Sequence, residues 1–172
     1  MVIESELDLQ ERGINPGELL EGLATADVPA IKGKGWYSID EFRQSASSIL
    51  EEGWRYENFD PVPVARIDDW SRYGAEHRSW GFRLHAWEFM DPLIRAFDET
   101  GETFWLEEAV RIAGSWLRIH RNAPEGDDPM VWYDMSQSLR TPRLVGLTLR
   151  AARFAELRDD TVVLADAVAW HL

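Results

Sequence analysis

The chain has 172 residues, 45% of them hydrophobic, 12% aromatic and 28% charged, and it contains no cysteine. That length fits one domain able to bury roughly 70% of its unfolded surface, and the missing cysteines exclude disulfides, a cysteine nucleophile and thiolate metal sites. Lys+Arg total 18 against 31 Asp+Glu, so the net charge of -13 argues against nucleic acid or an anionic membrane as partner.

The basic residues are 16 Arg and only Lys32 and Lys34. Genome composition or salt adaptation accounts for such a bias as a whole. Arginine also presents a planar fork that suits carboxylates and stacks on aromatic rings, so a few chosen Arg within an acidic surface would suit an anionic sugar. No apolar run approaches the ~18 residues of a membrane span. The start, MVIESELDLQ, lacks a basic stretch followed by an apolar one, so no export signal is expected and a cytoplasmic location is the default.

Residues 1–35 read as an acidic lead-in, in which a short helix over Pro16–Leu23 takes Pro16 in its first turn. Ile31-Lys-Gly-Lys-Gly35 is a connector whose glycines match no phosphate-binding fingerprint. From Ser38 the pattern becomes helical. Ser38-Ile-Asp-Glu41 fits a capping box, Ile39, Phe42, Ala46, Ile49 and Leu50 recur at helical spacing, and Gly53 is the stop. Residues 54–80 set Trp54, Tyr56, Phe59, Trp70, Tyr73 and Trp80 among Pro61, Pro63 and Gly74, a long aromatic loop with one helical turn at most.

A helical hairpin follows. Residues 82–99 place Leu84, Trp87, Met90, Ile94 and Phe97 on one stripe, and Pro92 either bends that helix or marks its true first turn. Gly101 is available for a left-handed turn, and the next helix, over 103–121, carries Trp105, Ala109, Ile112, Ala113, Trp116 and Leu117. After a polar loop over 122–128, Asp134 is the expected N-cap of a helix running to about Leu157 and bent at Pro142. Asp160 or Thr161 caps a last helix with no stop signal before Leu172. No alternating strand pattern occurs, so the fold class is all-α, built from antiparallel helical hairpins.

His77, His85, His120 and His171 have no metal-ligand spacing, and no metal or cofactor is expected. A lone helical His such as His85 is more often structural than functional. Trp87, Trp105 and Trp116 fall on helical stripes and belong to the core. Trp70, Trp80 and Trp132 stand at loops or helix starts, where an indole can stack on a sugar as well as fill a core. The bland reading of Arg140 is an arginine ion-paired to a neighbouring helix.

Several segments in order resemble a family. Phe82-Arg-Leu-His-Ala-Trp-Glu-Phe-Met, Leu93-Ile-Arg-Ala-Phe-Asp-Glu-Thr-Gly101, Trp105-Leu, Ala109, Trp116-Leu, Trp132 and Met135-Ser-Gln-Ser-Leu-Arg140 look like the N-terminal helical half of heparinase II/III-type polysaccharide lyases, over about 68–172. The resemblance implies that residues 36–172 are the first part of an (α/α) toroid, an incomplete barrel forming one wall of a glycan cleft. It implies β-elimination on uronic-acid polysaccharides such as alginate or heparin-like glycans, in which the uronate carboxylate is neutralised and a base removes the C5 proton.

By position, Arg140 would meet the substrate carboxylate, with Trp132, Tyr133 and Asp134 lining the cleft and His85 and Trp80 as further binding candidates. The family's Asn-His motif, catalytic Tyr and β-sandwich are expected beyond Leu172, so no catalytic residue is assigned and the chain alone is expected to lack lyase activity. Two other readings are a non-catalytic helical module that binds a carbohydrate or a protein, and a glycosidase-type toroid, which would need a separated acid pair. An open toroid should expose Leu144, Leu147, Phe154, Val163 and Leu164 and self-associate through them. Arg140→Ala should then cost activity and leave the melting temperature nearly unchanged.

Overall fold

The computed structural model describes residues 9, 11–28, 44–67, 69–70, 73–75, 77–121 and 129–171. Helices with described bounds are α1 (Pro16–Thr25), α2 (Ala46–Glu52), α3 (Arg78–His85), α4 (Met90–Thr100), α5 (Thr103–His120), α6 (Asp134–Ala151) and α7 (Arg158–His171), with a 3-10 turn over Ala155–Leu157 before α7. Among the described residues there is no strand beyond one antiparallel bridge between Trp54 and Val62. No helix among them is long and apolar enough to cross a membrane.

Local chemistry sets most boundaries. Asn15 caps α1, its Oδ1 accepting from Gly17 N at 2.9 Å, with Pro16 where its missing N–H costs nothing. The helix before Gly53 begins at Ala46, not in the Ser38 region: Ser45 is extended and its Oγ accepts from Ser48 N at 3.1 Å. The expected capping box at Ser38–Glu41, the connector at 31–35 and the loop at 122–128 lie outside the described residues.

The expected single helix over 82–99 is two helices. α3 ends at His85, the chain turns through Ala86–Phe89, and α4 starts at Met90 with Pro92 in its first turn. The break passes through Trp87, fully buried with φ +64°, a left-handed conformation that costs a non-glycine residue roughly 1–2 kcal/mol. Gly101 (φ +71°) then closes α4, and the two-residue connection returns α5 antiparallel along it. α6 runs on through Pro142 but stops at Ala151, short of Leu157. Asp134 is its first residue rather than its cap, and α7 starts at Arg158 with Asp159 and Asp160 in its first turn.

Two hairpins, α4–α5 and α6–α7, carry the core. α5 lies against α4, α6 and α7, α3 packs on α6, and α1 packs on α6 and α7. Leu106, Ala109, Ile112, Ala113 and Trp116 of α5 meet Leu93 and Ile94 of α4 and Leu144 and Leu147 of α6 in one cluster. Leu144, Leu147 and Leu164 are buried and Phe154 and Val163 are partly buried, so the apolar faces expected to be open are covered within the chain. The large apolar side chains left exposed among the described residues are Phe104 and Met135.

The described residues of the aromatic loop are tied to the helices by specific contacts. Trp54 and Val62 exchange both backbone bonds at 2.8 Å, and Trp70 is fully buried with its indole N–H satisfied by Ser115 Oγ at 3.1 Å. Phe59 stacks on Trp80 with ring centroids 5.1 Å apart. The loop crosses α3 so closely that a Cβ on Gly81 would lie 2.2 Å from Gly74 O.

Gly81→Ala should therefore lower stability by roughly 1–3 kcal/mol. Gly22→Ala, in open space on α1, should raise it by up to about 1 kcal/mol. Urea unfolding of the two variants tests the pair; equal effects would mean that the loop does not press on α3.

Candidate functional site

Arginines on one face of α6 grip the α3–α4 junction. Arg143 forms a bidentate pair with Asp91 at 2.7 Å on both oxygens and donates from Nη1 to Ala86 O at 3.1 Å. Two turns on, Arg150 forms the same fork with Asp98 at 2.8 and 2.6 Å. These are charge-assisted bonds with fixed geometry, and Arg143 also satisfies a helix-end carbonyl.

Arg140 differs from both. It is fully buried, and no carboxylate among the described residues pairs with it. Nη1 donates to His85 O at 2.6 Å and Val131 O at 3.1 Å, and Nε donates to His171 Nε2 at 2.9 Å. The guanidinium carbon sits 4.3 Å from the Trp116 ring centre and 5.4 Å from that of Trp132. A guanidinium has five N–H donors. The two on Nη2 have no partner among the described residues. Burial pushes the guanidinium down to about 9, which still leaves it charged at neutral pH.

His171 completes the arrangement. Arg140 Nε can only donate, so the Nε2 facing it carries the lone pair, and the ring proton sits on Nδ1 and reaches Ala167 O at 2.7 Å. Burial and the neighbouring Arg140 charge hold the ring down to about 4, so it is neutral at pH 7. Trp170 packs edge-on to Trp132 with centroids 4.8 Å apart. Trp132, Trp170 and His171 are the part-exposed members and form the outer rim of the cluster.

Of the residues singled out from sequence, Arg140, Trp132 and His85 come together here. His85 contributes its carbonyl, while its fully buried ring accepts from Trp116 Nε1 at 3.1 Å, so it packs inside the core rather than lining a cleft. Tyr133 is elsewhere: its hydroxyl accepts from Arg78 Nη2 at 3.1 Å and its ring meets Phe82 edge-on. Asp134 is exposed, its Oδ1 accepting from Met135 N at 2.7 Å. Trp80 is only 7% exposed and stacks on Phe59, which makes it a core residue.

A two-bond fork between Arg140 and a carboxylate is closed off as well. Nε and Nη1 are already committed, so Arg140 offers one nitrogen rather than two. The ion-paired alternative fails equally, because the partners are carbonyls and an imidazole. Trp116, Trp170 and His171 were missed as members of the cluster. His171 has a signal in the sequence: in an antiparallel α6–α7 hairpin, 140 and 171 lie at nearly equal distances from the 152–157 turn.

A cavity of about 310 Å³ lies apart from this cluster, between the start of α2, Arg95 and Glu99 of α4, and Trp105. Among the described residues no group of His, Cys, Asp or Glu is placed to hold a metal. Set against known protein families, curated proteins and solved structures, the chain matches none.

Two measurements follow from the geometry. Arg140→Met strands two carbonyls and an imidazole nitrogen, so stability should fall by about 3 kcal/mol or more, contrary to the unchanged melting temperature expected from sequence. A loss under ~1 kcal/mol in urea unfolding would contradict the network. His171 is held near 4 in the folded chain against 6.5 in the unfolded one. The unfolded chain therefore takes up the proton first as pH falls, and the stability present above about 6.5 drains away down to about 4. From about pH 7.5 to about pH 5 the loss should be roughly 2 kcal/mol. His171→Gln should lack that part of the slope.

Proposed function

We propose that this chain is the helical, glycan-binding portion of a polysaccharide lyase acting on uronic-acid polymers, arranged as part of an (α/α) toroid. The resemblance of residues 68–172 to the heparinase II/III-type lyases supplies the reaction class. One observation carries the binding role: a buried, charged Arg140 that has no carboxylate and keeps two N–H donors uncommitted. A buried unmatched donor costs roughly 1–3 kcal/mol, so an acceptor that reached Nη2 would relieve that cost.

A uronate offers the missing chemistry. For a carboxylate oxygen to reach Nη2, which has no exposed surface, the rim of Trp132, Trp170 and His171 must open, and the indoles of Trp132 and Trp170 then give the sugar ring apolar faces to lie on. In β-elimination the same contact would draw charge from the carboxylate and acidify the C5 proton. The base that removes the proton is not assigned to a residue of this chain. A second reading has an observation of its own: Arg140 ties α3, α6, α7 and the Val131 turn together, which makes it a structural keystone whether or not anything binds.

Titration of the purified chain with uronate oligosaccharides, followed by tryptophan fluorescence and calorimetry, separates the two. The glycan reading predicts saturable binding that perturbs the indole emission, with neutral oligosaccharides of equal length at least tenfold weaker. No binding, or equal binding of neutral sugars, would leave only the keystone. The same samples, followed in the ultraviolet for unsaturated uronate, should show no turnover.

A further inference from the structure

The cavity of about 310 Å³ between α2, α4 and α5 is large enough for one small ligand. It lies at the first turn of α5, whereas the Arg140 cluster packs on Trp116, about 16 Å further along that helix. Ser45, Ser47 and Glu99 on its walls are exposed and Trp105 is part-exposed, so a ligand enters from solvent without any opening of the core.

The walls are of two kinds. Trp105 and Ala96 supply apolar surface, the indole as a flat plate. The rest is polar. Ser45 Oγ accepts from Ser48 N and bonds Ser47 Oγ at 3.0 Å. That bond uses one of the two hydroxyl protons, so the pair still offers a donor and spare lone pairs. Arg95 and Glu99 stand one helical turn apart on α4, a cation and a carboxylate whose charges cancel. Gln44 fixes the α2 side in advance: its Nε2 donates to Gly53 O at 2.9 Å and its Oε1 accepts from Arg55 N at 2.6 Å.

We infer that this cavity binds a single neutral sugar ring, lying on Trp105 and meeting Ser45, Ser47, Arg95 and Glu99 through its hydroxyls. A pyranose divides as the walls do, into faces of C–H groups and a rim of hydroxyls that both donate and accept. An anionic or cationic ligand finds one of the two α4 charges against it. The inference stands apart from the uronate reading of Arg140, which concerns the other end of α5.

The test follows the Trp105 indole N–H by NMR in the full chain as methyl β-glucopyranoside is added. That N–H has no partner among the described residues, and its resonance is assigned by its loss in Trp105→Phe. Saturation at about 1–10 mM is expected for a ligand of this size. Glucuronate, glucosamine and adenosine should act on the same resonance about tenfold more weakly. Ser47→Phe fills the cavity from an exposed position, so glucoside binding should weaken about tenfold or more at an unchanged melting temperature. No response of Trp105 up to about 50 mM glucoside would overturn the assignment. So would an equal or stronger response to the charged sugars or to adenosine, or undiminished binding in Ser47→Phe. Any of these failures leaves the Arg140 reading in place, because a ligand there reports through Trp132 and Trp170.

Discussion

The backbone carbonyls at the end of α3 govern much of this structure. A helix end leaves carbonyls without intrahelical partners, and here that end is in the protein interior, where water cannot serve them. Arg140 and Arg143, three residues apart on one face of α6, supply the donors at His85 O and Ala86 O. The positive charge also suits the negative end of the helix dipole. Because those bonds hold the chain at His85–Ala86, the next residue, Trp87, can be kept buried in a left-handed conformation. α4 then starts in a new direction.

The same device recurs across the molecule and gives the arginine bias a structural meaning. Arg66 donates to Glu51 O at the end of α2, Arg111 to Ala65 O in the aromatic loop, and Arg153 to Ala26 O beyond α1. A lysine brings one strongly hydrated ammonium to such a place, whereas an arginine can bridge a carbonyl and a carboxylate together, as Arg143 does. Against this background Arg140 stands apart by burial: Arg66 and Arg153 also meet only carbonyls but are exposed, whereas Arg140 is fully buried with acceptors and no counter-charge among the described residues.

How far the sequence reveals this depends on whether the deciding interaction is local. The turn at Gly101 and the first-turn role of Pro92 are readable because a single residue dictates each backbone conformation. The break at Trp87 is not, because the stripe of Leu84, Trp87 and Met90 is continuous and the arginines that interrupt it lie more than fifty positions away. Likewise, Trp132 and Arg140 are readable as neighbours at the start of one helix. Tyr133 and Asp134 share that stretch but face different partners, since adjacent residues on entering a helix point in different directions. Trp80 sits three residues into α3, where nothing in the sequence distinguishes a sugar-stacking indole from one that closes over Phe59.

The account turns on what meets Arg140 Nη2. A crystal structure of the chain grown with a uronate oligosaccharide tests it most directly. The account predicts the Trp132–Trp170 rim opened, one carboxylate oxygen about 3 Å from Nη2 and the sugar ring against Trp132 or Trp170. An oligosaccharide seated elsewhere, with Nη2 as before, would contradict it.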